Sequence, residues 1–157
     1  MEKYYQTMLT YIHNRPLLKK TIIQVCRFFP YITFILYPCV LIYLWLTKNE
    51  LFLTTLIKPL SAFLIVTIFR KIINRPRPYE TMNIHPLFHH KQGESFPSRH
   101  TVSAFIIALV CFNVYFELGL LTLLVAIIIS GSRILAGVHY ISDVLSAIVI
   151  AIIIYFI

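Results

Sequence analysis

The sequence predicts an all-α protein, a polytopic transmembrane helical bundle of about five spans preceded by N-terminal interfacial amphipathic helices. Three observations lead there. Of the 157 residues, 59% are hydrophobic and only 13% charged, a composition that excludes disorder and argues against an ordinary soluble domain. The apolar residues gather in runs close to the roughly 20 residues that cross a bilayer. Most of the cations behind the net charge of +8 flank or interrupt those runs. They therefore suit anionic headgroups or a phosphorylated ligand better than nucleic acid. The length fits a single domain, 1–157, read as interfacial helices over 1–27 and a transmembrane bundle over 28–157.

Residues 2–27 mix Tyr4, Tyr5, Met8, Leu9 and Ile12 with Lys3, His13, Arg15, Lys19, Lys20 and Arg27. The charges are too many for a span, and Pro16 disfavours helix at the residue before it. Two short amphipathic helices at the headgroup level are expected. This N-terminus lacks the unbroken apolar core of a signal peptide, so insertion rests on the later runs. The first span is expected over 28–47, with Pro30 and Pro38 inside it and Trp45 at the far interface. Lys48-Asn49-Glu50 makes a polar turn, and the second span runs from Leu51 to about Ile73, with Lys58 free to snorkel.

A polar segment follows, 74–97, rich in proline and containing His85, His89 and His90. These histidines have no nearby cysteine and few carboxylates, so they read as a solvated loop and not as a metal site. The third span is expected over 98–118 and the fourth over 119–135, with Glu117-Leu118-Gly119 as the turn between them. Val144 to Ile157 forms the fifth. Cys26, Cys39 and Cys111 lack paired spacing, and the two in apolar runs, Cys39 and Cys111, read as small hydrophobes. Five spans put the 74–97 loop, the 132–143 stretch and the N-terminal helices on one membrane face.

Three clusters meet on that face. Arg70, Lys71, Arg75 and Arg77 close the second span, and Pro76 and Pro78 stiffen the chain around Arg77. Guanidinium forks match phosphate oxygens. Next, Pro97-Ser98-Arg99-His100 opens the third span. Ser98 stands where an N-cap would, the first free amides of the helix make an anion site, and His100 can hand a proton to a leaving oxygen. Finally, Ser132-Arg133 and His139 with Asp143 bracket the start of the fifth span. A turn must separate Arg133 from His139. Asp143, four residues on, can orient the imidazole and stabilise its charged form. Binding of anions alone does not require a histidine–aspartate pair.

In order and spacing, these clusters resemble the signature of the type 2 phosphatidic acid phosphatase (PAP2) superfamily. That signature is lysine, six residues, Arg-Pro; then Pro-Ser-Gly-His; then Ser-Arg, five residues, His, three residues, Asp. The third part is complete here. Arg99 stands where glycine is usual, with its backbone amide retained, and the residue seven before Arg77 is Arg70, with Lys71 one position off. Either can supply the first cation.

The resemblance implies metal-independent hydrolysis of a lipid phosphate or diphosphate through a phosphohistidine, with no cofactor. His139 would attack phosphorus, Asp143 would orient it, and His100 would protonate the leaving group. Arg70 or Lys71, Arg77, Ser98, Arg99 and Arg133 would bind the phosphoryl oxygens. Undecaprenyl diphosphate is the favoured substrate, then phosphatidylglycerophosphate or phosphatidate. The alternative is a non-catalytic transporter or anionic-lipid-binding subunit. Counting Lys and Arg puts the site in the cytoplasm, whereas the resemblance puts it outside, and the resemblance is followed.

Overall fold

The computed structural model describes residues 1–157, in seven helices and no strands. The first is α1 (Glu2–His13), then α2 (Pro16–Leu46), α3 (Leu51–Ile73), the single turn α4 (Pro78–Thr81), α5 (Arg99–Val114), α6 (Phe116–Leu135) and α7 (Ile141–Phe156). Helices α2, α3 and α6 are long and apolar enough to cross a membrane. Helices α5 and α7 are shorter, 16 residues each, or about 24 Å at the α-helical rise. Phe34, Ile35, Leu53, Ile57, Ile68, Leu120, Leu124, Leu145 and Val149 face outward from the bundle. An apolar belt of that extent is what a helical bundle shows to lipid.

Helix α5 is the centre of the bundle, packed against α3, α6 and α7. Val102 and Ile106 meet Ala62 and Val66 of α3 and Ala147 and Ala151 of α7. On its other side Ala104 meets Val125, Ala126 and Ile129 of α6. The small residues let the helices approach closely, the usual packing device of membrane bundles.

The N-terminal region departs from expectation. Helix α1 stands alone, but residues 16–27 are not a second interfacial helix; they are the first turns of α2. Pro16 occupies the first helical position, where its missing N–H costs nothing. Ile22 and Cys26, four apart, then continue one buried face into the span with no breaker at residue 27. Helix α1 buries Tyr5, Leu9 and Ile12, spaced i, i+4, i+7, against Ile22, Cys26, Ile84, Leu87, Ala136 and Val138. One face of α1 is thus a lid over the loops of this end of the bundle.

The turn between α5 and α6 also moves. It falls at Tyr115, extended at φ −150° and ψ 134°, and not at 117–119. Tyr115 Oη and Tyr43 Oη hydrogen-bond at 2.7 Å beside it. Gly119 lies inside α6, where a Cβ would come within 2.8 Å of the Phe112 backbone Cα. Its lack of a side chain serves helix–helix approach, not a turn.

Proline inside α2 and α3 frees backbone carbonyls that the bundle then uses. Pro59 has no N–H for the Thr55 carbonyl, and Tyr37 Oη of α2 donates to that oxygen at 2.9 Å. Pro30 likewise leaves the Cys26 carbonyl open, and Arg133 Nη2 of α6 donates to it at 2.9 Å. Lys58 does not simply snorkel: its ammonium reaches the Tyr155 carbonyl in the last turn of α7, where a cation is favoured.

Because the Phe112 backbone cannot yield, Gly119→Ala is expected to destabilise the α5–α6 pair by about 1–3 kcal/mol. Thermal unfolding in detergent measures this as a lowered melting temperature.

Candidate active site

At the end of the bundle that α1 covers, Asp143 is fully buried in the first turn of α7. A buried carboxylate needs its lone pairs filled, and four groups converge on this one. Oδ2 accepts from Ser95 Oγ at 2.5 Å and from the Tyr140 amide at 3.0 Å. Oδ1 accepts from Arg75 Nη1 at 2.8 Å, and His139 Nδ1 lies 3.4 Å from Oδ2. The Tyr140 bond bends the carboxylate back over the helix start. Histidine and aspartate therefore meet although His139 precedes α7 and is not on a helical face.

His139 sits in the turn 136–140. Gly137 supplies its left-handed residue, φ +72°, and a Cβ there would crowd Leu9 of α1 at 3.0 Å. The turn is held from outside by the Leu87 amide on the Ala136 carbonyl at 3.0 Å. Tyr5 Oη, fully buried, donates to the His139 carbonyl at 3.0 Å. Since Nδ1 faces Asp143 and has no other partner, Nε2 is the nitrogen left for a ligand. Burial pulls the imidazole down to about 4, against the opposite pull of its Asp143 contact, and the charge of Arg77 adds to the fall. It is therefore neutral, and able to act as a nucleophile, through the physiological range.

In front of His139 lies a cavity of about 130 Å³ with no hydrophobic residue in its lining. Arg70, Arg77, Arg99, Lys91, His90, His100 and Glu94 complete the wall. Two of the arginines are fixed by backbone carbonyls. Arg70 Nη1 donates to Pro97 O at 2.9 Å. Arg77 donates through Nη1 to Val138 O and through Nε to Lys91 O, both at 3.0 Å. Both side chains are nearly buried, so their charges act where water screens little. His100 hydrogen-bonds to nothing in the chain. Four cations against one carboxylate, with two histidines of the sequence motifs on the same wall, make an anion site equipped for proton transfer and nucleophilic attack.

The other candidates fall around this cavity. Lys71 is exposed and outside it, so of the two first-cluster cations it is Arg70 that faces the site. Ser98 stands in the N-cap position of α5, but its side chain caps no amide. It is buried and accepts a hydrogen bond from Thr101 Oγ1 at 3.0 Å. Arg133 is held by Cys26 O and lines a second, adjoining cavity of about 700 Å³. Aromatic and aliphatic residues of α2, α5 and α6 form most of that wall, with Phe63 from α3.

Three contributors escaped sequence reasoning. Ser95 and Tyr5 carry no pattern that marks them, since their partners are 48 and 134 residues away. His90, read as part of a solvated loop, lines both cavities, while His89 packs edge-on against Tyr79.

The sequence model of the PAP2 superfamily matches residues 50–157, and the chain belongs to that superfamily. It is 34% identical over 109 residues to the bacitracin transport permease protein BcrC of Bacillus licheniformis, covering 66% of this chain and 54% of that protein. It is 31% identical over 124 residues to the undecaprenyl-diphosphatase BcrC of Bacillus subtilis, covering 76% and 64%. The chain thus spans between about half and two thirds of the length of these relatives. Among solved structures, LpxE of Aquifex aeolicus superposes with a TM-score of 0.75 at 28% identity, over 96% of this chain and 91% of that one. A transmembrane PAP2-type phosphatidylglycerolphosphate phosphatase of Bacillus subtilis gives 0.74 at 19% identity, over 90% and 75%, a likeness of fold.

If His139 attacks as the neutral imidazole, it sets the acid limb of kcat/KM, which reports the free enzyme and is expected to hold down to about pH 5. It should then fall as the pH drops through about 4. A pH–rate profile corrected for the ionisation of the substrate checks this, and an acid limb at the ordinary histidine value near 6.5 contradicts it.

Proposed function

We propose that this chain is an integral-membrane phosphatase that hydrolyses a lipid phosphate or diphosphate, undecaprenyl diphosphate first and phosphatidylglycerophosphate or phosphatidate next. One observation carries the reading: a buried histidine–aspartate pair opens onto a cationic cavity that adjoins a second, largely apolar one. The phosphoryl group occupies the first cavity and the lipid chain the second. The second is open beside Tyr31 and Phe34, both exposed on the lipid side of α2, so the chain enters sideways from the bilayer. The undecaprenyl-diphosphatase relative supports the order of substrates.

His139 Nε2 attacks phosphorus as the bond to the leaving oxygen breaks, forming a phosphohistidine. Asp143 holds the ring through Nδ1 and stabilises the charge that appears on it. His100, which lines the same cavity, gives its proton to the leaving oxygen, then takes one from the water that attacks the phosphohistidine and releases inorganic phosphate. Arg70 and Arg77 are already aimed by their carbonyl partners, and they stabilise the equatorial oxygens with little reorganisation. Arg133 meets the substrate from the adjoining wall, and no metal ion enters the sequence of steps.

In this reading the site lies on the extracytoplasmic face, as the family resemblance implies, with the 83–92 loop beside it. Single cysteines in that loop, on a Cys39→Ser background, are then labelled by an impermeant maleimide in intact cells. Labelling only after permeabilisation contradicts the placement.

A rival reading as a transporter has the name of one relative, a transport permease protein, behind it, but transport of an anion does not call for Nδ1 of a buried histidine to rest on a buried carboxylate. The discriminating measurement is release of inorganic phosphate from undecaprenyl diphosphate in detergent with a chelator present. Wild type turns over, and His139→Ala loses at least about 10⁴-fold, the scale set by removing a nucleophile. Arg70→Ala loses on the order of 10²–10³-fold, and Lys71→Ala stays within about threefold, since an exposed cation away from the charge development contributes little. No release by wild type, or a full rate in His139→Ala, overturns the assignment.

A further inference from the structure

The two cavities share three lining residues, His90, Arg99 and His100. Of these, His100 is accounted for by proton transfer. Arg99 is not. The guanidinium groups of Arg70, Arg77 and Arg133 are each anchored to a backbone carbonyl. Arg99 makes no hydrogen bond or ion pair within the chain, and its nearest partner is the face of Phe63, 5.6 Å from the ring centroid. Arg99 is exposed at the polar end of the bundle, so its whole donor fork is free to take an anion at the junction of the two cavities.

His90 shares that junction. Its backbone is fixed on both sides by one hydroxyl: Tyr79 Oη donates to His90 O at 3.0 Å and accepts from His90 N at 3.3 Å. Its ring lies 6.5 Å from that of His100, tilted by 35°. The remaining charged pair of the small cavity, Lys91 with Glu94 at 3.1 Å, does not reach the large one. Arg99 and His90 thus reach both cavities, whereas Arg70, Arg77, Lys91 and Glu94 line only the small one.

We propose that Arg99 and His90 form a second anion subsite, which holds the non-reacting phosphate of a lipid diphosphate between the phosphoryl cavity and the chain cavity. This rests on the phosphatase reading above and names what selects among its substrates. A lipid monophosphate fills the small cavity and places only an ester carbon at the junction, leaving Arg99 unmatched. A diphosphate places two further oxygens there. In the diphosphate reaction the bond between the terminal phosphorus and the bridging oxygen breaks as His139 Nε2 bonds to that phosphorus. The proton of His100 goes to the bridging oxygen, and lipid monophosphate leaves with Arg99 and His90 still in contact. Water then splits the phosphohistidine, and the products are lipid monophosphate and inorganic phosphate.

The test is a substrate ratio. Farnesyl diphosphate and farnesyl monophosphate share one chain and differ only in the second phosphate, so kcat/KM for each is measured in detergent for wild type, Arg99→Gln, Arg99→Lys and His90→Ala. Wild type is expected to prefer the diphosphate. Arg99→Gln should lower the diphosphate-to-monophosphate ratio at least tenfold, chiefly through KM, His90→Ala should lower it three- to tenfold, and Arg99→Lys should recover part of the loss. The melting temperature of each variant in detergent reports whether it is folded. An unchanged ratio in Arg99→Gln overturns the subsite, whether both rates hold or both fall together, and so does a wild type with no preference. Failure of wild type to release phosphate from either lipid overturns instead the phosphatase reading on which the subsite rests.

Discussion

The buried carboxylate of Asp143 is the constraint around which this end of the molecule is organised. A charge with no exposed surface is stable only when its oxygens are fully engaged, and breaking such an arrangement costs about 3–5 kcal/mol. The four groups that engage it come from three places in the chain: Arg75 after α3, Ser95 before α5, and His139 and Tyr140 in the turn before α7. The Asp143 carbonyl also accepts from the Ser98 amide at 3.1 Å. One residue thus sets the relative position of His139 and the helix that carries His100. The catalytic geometry and the local fold are the same set of bonds.

A second layer supports that set from the membrane side. Three of the arginines around the site are not left to find the ligand. Each of Arg70, Arg77 and Arg133 is aimed by a backbone carbonyl, and for Arg133 the carbonyl is one that Pro30 has released from its helix. A proline in a membrane helix is often read as a kink. Here it is also the means by which α2 offers a polar anchor to α6 inside an apolar environment. Helix α1 plays the corresponding part from above, with Leu9 against Gly137 and Tyr5 on the His139 carbonyl.

Much of this was legible in the sequence because it depends on spacing along one element. The apolar runs, the shared face of the three clusters, and the turn between Arg133 and His139 follow from helical and membrane periodicity. Arg70 keeps the register of the family signature, seven residues before Arg77, while the sequence leaves Lys71 open. The structure decides between them because neighbouring residues on α3 point about 100° apart, and only Arg70 lines the cavity. What was not legible depends on contacts between distant segments. Residues 16–27 have the charges of a surface helix, yet Ile22 and Cys26 join the buried face of α2 because α1 and the 132–138 stretch lie against them. Gly119 looks like a turn residue until Phe112 is seen packed on it. Ser95 has no chemistry to distinguish it until Asp143 stands beside it, and His90 reads as loop until two cavities meet at its ring.

The central claim is that His139, held by Asp143, takes the phosphoryl group onto its own ring. Acid-free denaturing quench of the turning-over enzyme, followed by peptide mass spectrometry, tests it most directly. The account predicts a phosphate on His139, lost on acid treatment and stable to base, and none in His139→Ala. Phosphate on another residue, or turnover by wild type with no phosphorylated histidine trapped by rapid quench within a single turnover, would contradict it.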